Sequence, residues 1–162
     1  GKSPQINTPS SNWIEFWRMH RLGNQLERAK NNGFNGKLQE LGAQLLMNLE
    51  ELLSDTPPLP SLLHGDLWGG NYAYDKAGEP ILYDPAVYYG DREADIAMTE
   101  LFGGFSADFY SAYCCEYPLD SGSNTRKVVY NLYHVLNHLN LFGGGYCCQA
   151  EQMMSKLLAE IR

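Results

Sequence analysis

The chain has 162 residues, with 12 Lys and Arg against 19 Asp and Glu, for a formal net charge of −7. Its composition, 44% apolar, 12% aromatic and 19% charged, is globular and excludes a disordered tail, a collagen-like fibre and a coiled coil. At about 150 residues a chain buries roughly 70% of its unfolded surface, enough for one core and tight for two.

The stretch from Lys127 to Glu151 has no charge between its ends but is interrupted by His134, Asn137, His138, Asn140 and three glycines, which rules it out as a membrane span. No charged-then-apolar leader opens the chain, so nothing marks it for secretion. The acidic balance, with no basic run longer than Arg126-Lys127, argues against a nucleic-acid partner, which needs a basic stripe to displace phosphate counterions. The four cysteines form two adjacent pairs, Cys114-Cys115 and Cys147-Cys148. Neighbouring side chains on a helix diverge, so these read as buried, reduced thiols of a cytoplasmic protein rather than a disulfide framework.

In chain order, residues 1–12 read as a connector. Asn12 followed by Glu15 predicts a cap and a helix start. Trp13, Phe16 and Trp17 share one face of that helix, while Leu22, Leu26 and Ala29 fall on the opposite face. Either the helix breaks near Gly23 or both faces are covered. Asn31-Asn32-Gly33 ends it. Leu38, Leu41, Leu45, Leu49 and Leu52 recur at helical spacing, and Thr56-Pro57-Pro58-Leu59-Pro60 stops that helix. Tyr72–Tyr74 and Ile81–Tyr83, either side of Asp75-Lys76-Ala77-Gly78, predict a small hairpin. Four helical segments follow: one with Ala94, Ala97, Met98 and Leu101 on a face and Asp91 as its cap; Ser106 to Glu116; one with Val128, Leu132, Val135, Leu139 and Phe142 on one side; and one using Met153, Met154, Leu157, Leu158 and Ile161. Gly143-Gly144-Gly145 follows a helix and reads as its terminating turn. The expected fold is mainly α (α+β), a helical bundle with a small β-hairpin and loop insert at residues 61–90.

That insert carries the chemistry: His64-Gly65-Asp66-Leu67-Trp68-Gly69-Gly70-Asn71, then Asp84 after Ile81-Leu82-Tyr83. Phosphoryl transfer to a hydroxyl needs a carboxylate to take the proton and oxygen ligands to hold Mg²⁺ against a triphosphate. An Asp and an Asn five apart on a tight loop can aim at one point, and an Asp closing the next hairpin strand returns to the same edge. Asp66, Asn71 and Asp84 fit that arrangement, although Asp and Asn are also ordinary turn residues.

His-Gly-Asp-x-x-x-x-Asn followed by Asp resembles the catalytic and metal-binding loops of the protein-kinase-like fold, in its aminoglycoside-phosphotransferase and choline-kinase branch. The wording of Asp84–Asp95, of Leu101-Phe102-Gly103-Gly104-Phe105 and of Asn131-Leu132-Tyr133-His134 with Leu141–Tyr146 is similar to the fructosamine (ketosamine) kinases. The resemblance runs from about Ser3 to Ile161. It implies Asp66 as catalytic base, Asn71 and Asp84 as Mg²⁺ ligands, and His64 and Asp95 as supports of the loop. It also implies ATP as co-substrate and a glycated amine or glycated lysine as acceptor. Trp68, beside the base, either stacks on a sugar or packs beneath the loop. On the helix from Val128 to Phe142, a polar side holds Tyr130, His134, Asn137 and His138; His134 reads as structural backing and His138 as lining the acceptor pocket.

Residues 13–162 are therefore expected to be the helical C-terminal lobe of such a kinase. The Gly-rich hairpin and strand Lys of a nucleotide-binding lobe are not found, so the chain reads as a truncated form or a proteolytic product. Alone it is expected to be inactive, with an exposed lobe interface prone to self-association. Three alternatives are an aminoglycoside- or choline-type kinase, a pseudokinase-like binding domain, and a metal-dependent hydrolase built on His64, Asp66 and Asp84. The last lacks the extra His ligands such sites usually show.

Overall fold

The computed structural model describes residues 3–53 and 58–161, so Thr56 and Pro57 of the predicted helix stop lie outside the described residues. The chain divides into two units, residues 1–57 with 128–162, and residues 58–127. The boundary falls within one long helix.

In the first unit, residues 3–11 lack regular structure, and the Asn12 Oδ1 accepts from the Glu15 N–H at 3.0 Å and starts α1 (Trp13–Phe16). A π-helical stretch, Trp17–Gly23, leads into α2 (Asn24–Asn31). This resolves the two-faced pattern by a route that neither alternative foresaw. In a π-helix, bonding runs from i to i+5, which swings residues five apart toward one face. Trp17 and Leu22 are both fully buried, along with Phe16, Leu26 and Ala29. Gly23 belongs to the same device. A Cβ there would lie 2.6 Å from the carbonyl oxygen of Arg18, five residues back. Asn32 caps α2, and Gly33 turns away at φ 90°.

The leucine-rich helix is interrupted: α3 (Lys37–Met47) and α4 (Leu49–Leu52) meet at Asn48, which leaves helical geometry at φ −106°, ψ 16°. Leu38, Leu45, Leu49 and Leu52 are buried as the spacing predicts. Gly42 lets α3 approach α2 closely, since a Cβ there would come within 2.7 Å of a Leu26 methyl. Later in the chain come α7 (Ser123–Phe142) and α8 (Tyr146–Glu160). α3 packs along α8. The middle of α7 is buried nearly all round, with Tyr130 edge-on to Trp17 at 4.9 Å. Phe142, expected on the apolar side, is instead exposed; it sits on the last residue of α7 with its ring against His138. The Gly143 N–H closes onto the Leu139 carbonyl at 2.8 Å, at φ 69°, a helix-ending turn.

In the second unit, β1 (Ser61–Leu63) pairs antiparallel with β4 (Tyr88–Gly90), Leu62 facing Tyr89. β2 (Tyr72–Tyr74) pairs with β3 (Pro80–Leu82), Ala73 facing Ile81. The second hairpin strand thus lies one residue earlier than predicted. Asp75 Oδ1 accepts from the Ala77 and Glu79 N–H groups, and this turn fixes the register. Asp91 Oδ1 accepts from the Glu93 N–H at the start of α5 (Glu93–Leu101). Ser106 caps α6 (Ala107–Glu116), which has no buried residue. The cysteines therefore correct an expectation. All four are free, but Cys114, Cys115 and Cys148 are exposed and Cys147 half-buried, because each pair lies on a helix whose local face meets solvent. Among the described residues no helix is long and apolar enough to cross a membrane.

Candidate active site

The loop after β1 is held at its start by Asp95, on the first turn of α5. One carboxylate oxygen accepts from the His64 N–H at 2.7 Å and the other from the Gly65 N–H at 2.8 Å. Burial pushes the Asp95 carboxyl above its usual range; the two backbone N–H groups and His64 pull it back down, and Asp66 nearby adds to the rise. A charged acceptor with two matched donors makes a strong, directional clamp. Gly65 takes φ 79°, and a Cβ there would lie 2.1 Å from the Ala86 carbonyl oxygen. Only glycine fits this approach.

His64 links the loop to the segment after β3. Its Nδ1 accepts from the Asp66 N–H at 3.3 Å, which requires the Nε2–H tautomer; Nε2 then donates to the Tyr83 carbonyl at 3.0 Å. The Ala86 N–H donates to the His64 carbonyl at 2.7 Å. Asn71 is buried, and its Nδ2 donates to both the Asp66 carbonyl (2.9 Å) and Asp66 Oδ2 (3.1 Å). The Tyr83 N–H donates to the Asn71 carbonyl at 3.1 Å. Residues 83 and 86, on either side of Asp84, are thus both tied to the 64–71 loop. Asp84 itself adopts φ 56°, the one non-glycine residue in the left-handed region among those described. Such backbone costs about 1–3 kcal/mol and persists where surrounding contacts over-determine it, often at functional sites.

With the Asn71 amide nitrogen committed to Asp66, the other end of that amide is an oxygen, and Asp84 is an exposed carboxylate. Hard oxygen donors of this kind suit Mg²⁺. Among the described residues no group of three or more His, Cys, Asp and Glu is placed to hold a metal ion. The Trp68 ring lies over its own loop, 2.4 Å from where a Gly70 Cβ would be, and meets Phe102 edge-on at 6.3 Å; it remains 38% exposed.

The two α7 histidines belong to the other unit. His134 is buried, and desolvation, then the charges of His138 and Arg21, lower its pKa to about 3, so the ring is neutral. His138 Nδ1 donates to the His134 carbonyl at 2.8 Å, its ring between Phe142 and Tyr146. Sequence reasoning missed the Tyr83 and Ala86 backbone contacts and the role of Gly65. The glycine between His64 and Asp66 was their one visible signal.

The fructosamine kinase family model matches residues 1–160. The chain belongs to the fructosamine kinase family. It is 49% identical over 158 residues to a probable ketoamine kinase of Synechocystis, covering 98% of this chain and 52% of that protein. A crystal structure of a putative fructosamine-3-kinase from Thermobifida fusca superposes with a TM-score of 0.88 at 33% identity, covering 98% of this chain and 55% of that one. A choline kinase from Streptococcus pneumoniae, 15% identical with a TM-score of 0.55 over 91% of this chain and 62% of that one, shares the fold. The expected mainly α, kinase-like fold with its small hairpin is the fold found, and β1–β4 adds a second strand pair that was not expected. The chain spans about half the length of the relatives it matches.

Proposed function

We propose that this chain is the catalytic half of an ATP-dependent ketoamine kinase, which phosphorylates a sugar hydroxyl of a fructosamine or ribulosamine carried on lysine or a small amine. Family membership supports the substrate class. The observation that carries the chemistry is the bond from Asn71 Nδ2 to Asp66 Oδ2, which holds a carboxylate and an amide oxygen donor together on one loop.

Asp66 accepts the acceptor's hydroxyl proton as that oxygen bonds to the γ-phosphorus and the bond to the bridging oxygen breaks, releasing ADP. Asn71 fixes the orientation of that carboxylate. Asp95 and His64 act one step back. Asp95 holds the backbone at 64–65, and the His64 ring fastens the base's own N–H to the Tyr83 carbonyl. Asn71 and Asp84 would hold Mg²⁺, which when bound neutralises phosphate charge. Trp68 offers the acceptor sugar an aromatic face.

The test is Asp66→Asn in the full-length protein, read by turnover and by nucleotide binding. Loss of a general base predicts a fall in kcat of about 10²–10⁴ with nucleotide affinity retained. Wild-type turnover in that variant would refute the assignment. The present stretch alone is expected to show little turnover in the same assay.

A further inference from the structure

The connection between α5 and α6, Phe102-Gly103-Gly104-Phe105-Ser106, touches the catalytic loop on both sides of its glycine pair. The Phe102 ring meets Trp68 at 6.3 Å, and the Phe105 ring meets Tyr72 at 4.7 Å. Trp68 and Tyr72 bracket Gly69-Gly70-Asn71, where both glycines are exposed and backbone freedom is greatest. The span from the base to Asn71 therefore depends on what grips it from outside. The turn that supplies the grip is itself sharply defined, because Gly103 (φ 106°) and Gly104 (φ 72°) both take conformations closed to ordinary side chains.

The turn is anchored by a chain of hydrogen bonds whose direction is fixed. Thr99 Oγ1 donates to the Ile96 carbonyl at 2.6 Å, which commits its one proton. The Tyr110 hydroxyl, 3.0 Å from Thr99 Oγ1, must then donate to it. The Tyr110 oxygen is left to accept the Phe105 N–H, also at 3.0 Å. Thr99 is buried, so breaking the chain strands polar atoms away from water. It ends at Ile96, the neighbour of the Asp95 that clamps residues 64 and 65. One helix thus holds both ends of the loop, through Asp95 at the start and through this turn at 68–72.

We propose that the Phe102–Phe105 turn is a strap setting the distance between Asp66 and Asn71, with the Tyr110 hydroxyl as its positioning residue for phosphoryl transfer. The catalytic part of this inference rests on the kinase reading above; the mechanical part does not. The Tyr110 hydroxyl reaches the loop through Phe105 and Tyr72 and not through Trp68, so its effect is expected in the metal-dependent parameters and not in acceptor affinity.

The test is Tyr110→Phe in the full-length protein, an isosteric change that removes only the hydroxyl. Hydrogen exchange should accelerate together at Phe105 and at residues 69–72 by about threefold to tenfold, the weight of one hydrogen bond, with the His64 and Gly65 amides unchanged. In turnover, kcat should fall by a similar factor and the Mg²⁺ concentration for half-activation should rise, at an unchanged KM for the ketoamine. Thr99→Val should reproduce the pattern and Thr99→Ser restore it. Phe102→Leu, which leaves the hydrogen-bond chain intact, should loosen 68–70 but not Phe105, and it keeps the question decidable if Tyr110→Phe folds poorly. Faster exchange at Phe105 alone, with 69–72 and the Mg²⁺ requirement at wild-type values, overturns the strap. If the wild-type protein proves not to phosphorylate ketoamines, the exchange data still decide the strap, so the two readings fail separately.

Discussion

Residues 58–127 carry four Lys and Arg against eleven Asp and Glu, so this stretch alone, at 4 − 11 = −7, holds the whole net charge; the rest of the chain balances eight against eight. The core is distributed the other way. Among the largest fully buried side chains, only Leu63 and Met98 fall within 58–127, whereas Trp17, Leu22, Leu38, Leu45, Leu49, Tyr130, Leu132, Leu136 and Leu139 belong to the other unit. The site-bearing stretch instead exposes Leu62, Trp68, Tyr74, Ile81, Leu82 and Tyr89. Burial holds one unit together. The other is held by directional bonds: the Asp95 clamp, the His64 bridge, and Arg126, which grips both Glu93 oxygens at 2.8 Å and Asp120 at 2.7 Å. Substitutions should therefore register as stability in one unit and as geometry in the other.

The largest stability effect expected is from Trp17→Ala, about 3–5 kcal/mol for deleting a fully buried aromatic. Trp68→Ala, at a 38% exposed site, should cost about 1 kcal/mol or less while lowering turnover, and chemical denaturation of the pair checks the contrast. Gly65→Ala comes next, roughly 2–4 kcal/mol from forcing a side chain into left-handed backbone against the Ala86 carbonyl, with loss of activity.

Asp95→Asn separates geometry from stability. Its amide can satisfy only one of the two backbone N–H groups, predicting about a 10–100-fold fall in kcat. Because burial raises the Asp95 pKa, ionisation costs the folded state stability as pH rises from the ordinary carboxylate value through the raised one. Asparagine removes that cost, so the melting temperature at neutral pH should fall by less than the one lost bond implies. A melting temperature falling in step with activity would break the distinction.

His134 gives a pH signature to the balanced unit. Its folded pKa, about 3, lies below the ordinary 6.5, so the unfolded chain takes up the proton first. Stability from this group is complete above pH 6.5 and drains as pH falls toward 3, at up to about 1.4 kcal/mol per pH unit. His134→Gln should flatten that limb, as denaturation at pH 7 and pH 5 would show. The smallest effect is expected from Lys127→Ala, which removes a part-exposed pair with Glu100 and should change stability by about 0.5 kcal/mol.

The sequence made the helical faces legible where period 3.6 persisted, as in Leu38–Leu52, and it singled out His64–Asn71 and Asp84 as the candidate site because short-range turn and metal-donor patterns lie close together. The π-helical swing at Trp17–Gly23 looked like a contradiction because sequence periodicity assumes one helical pitch. The β1–β4 pairing was invisible, because the whole β2–β3 hairpin lies between the two strands and no tight turn joins them to fix a register. The left-handed Asp84 and the Tyr110–Thr99 chain are tertiary facts with no local signature.

The central claim is that Asn71 and Asp84 hold a divalent ion beside the Asp66 carboxylate. Mn²⁺ substituted for Mg²⁺ in crystals of the full-length protein with a non-hydrolysable ATP analogue tests it directly. The account predicts an anomalous peak bonded to the Asn71 Oδ1 and the Asp84 carboxylate, with Asp66 facing the γ-phosphate. A metal ion bound elsewhere, with neither side chain among its ligands, would contradict it.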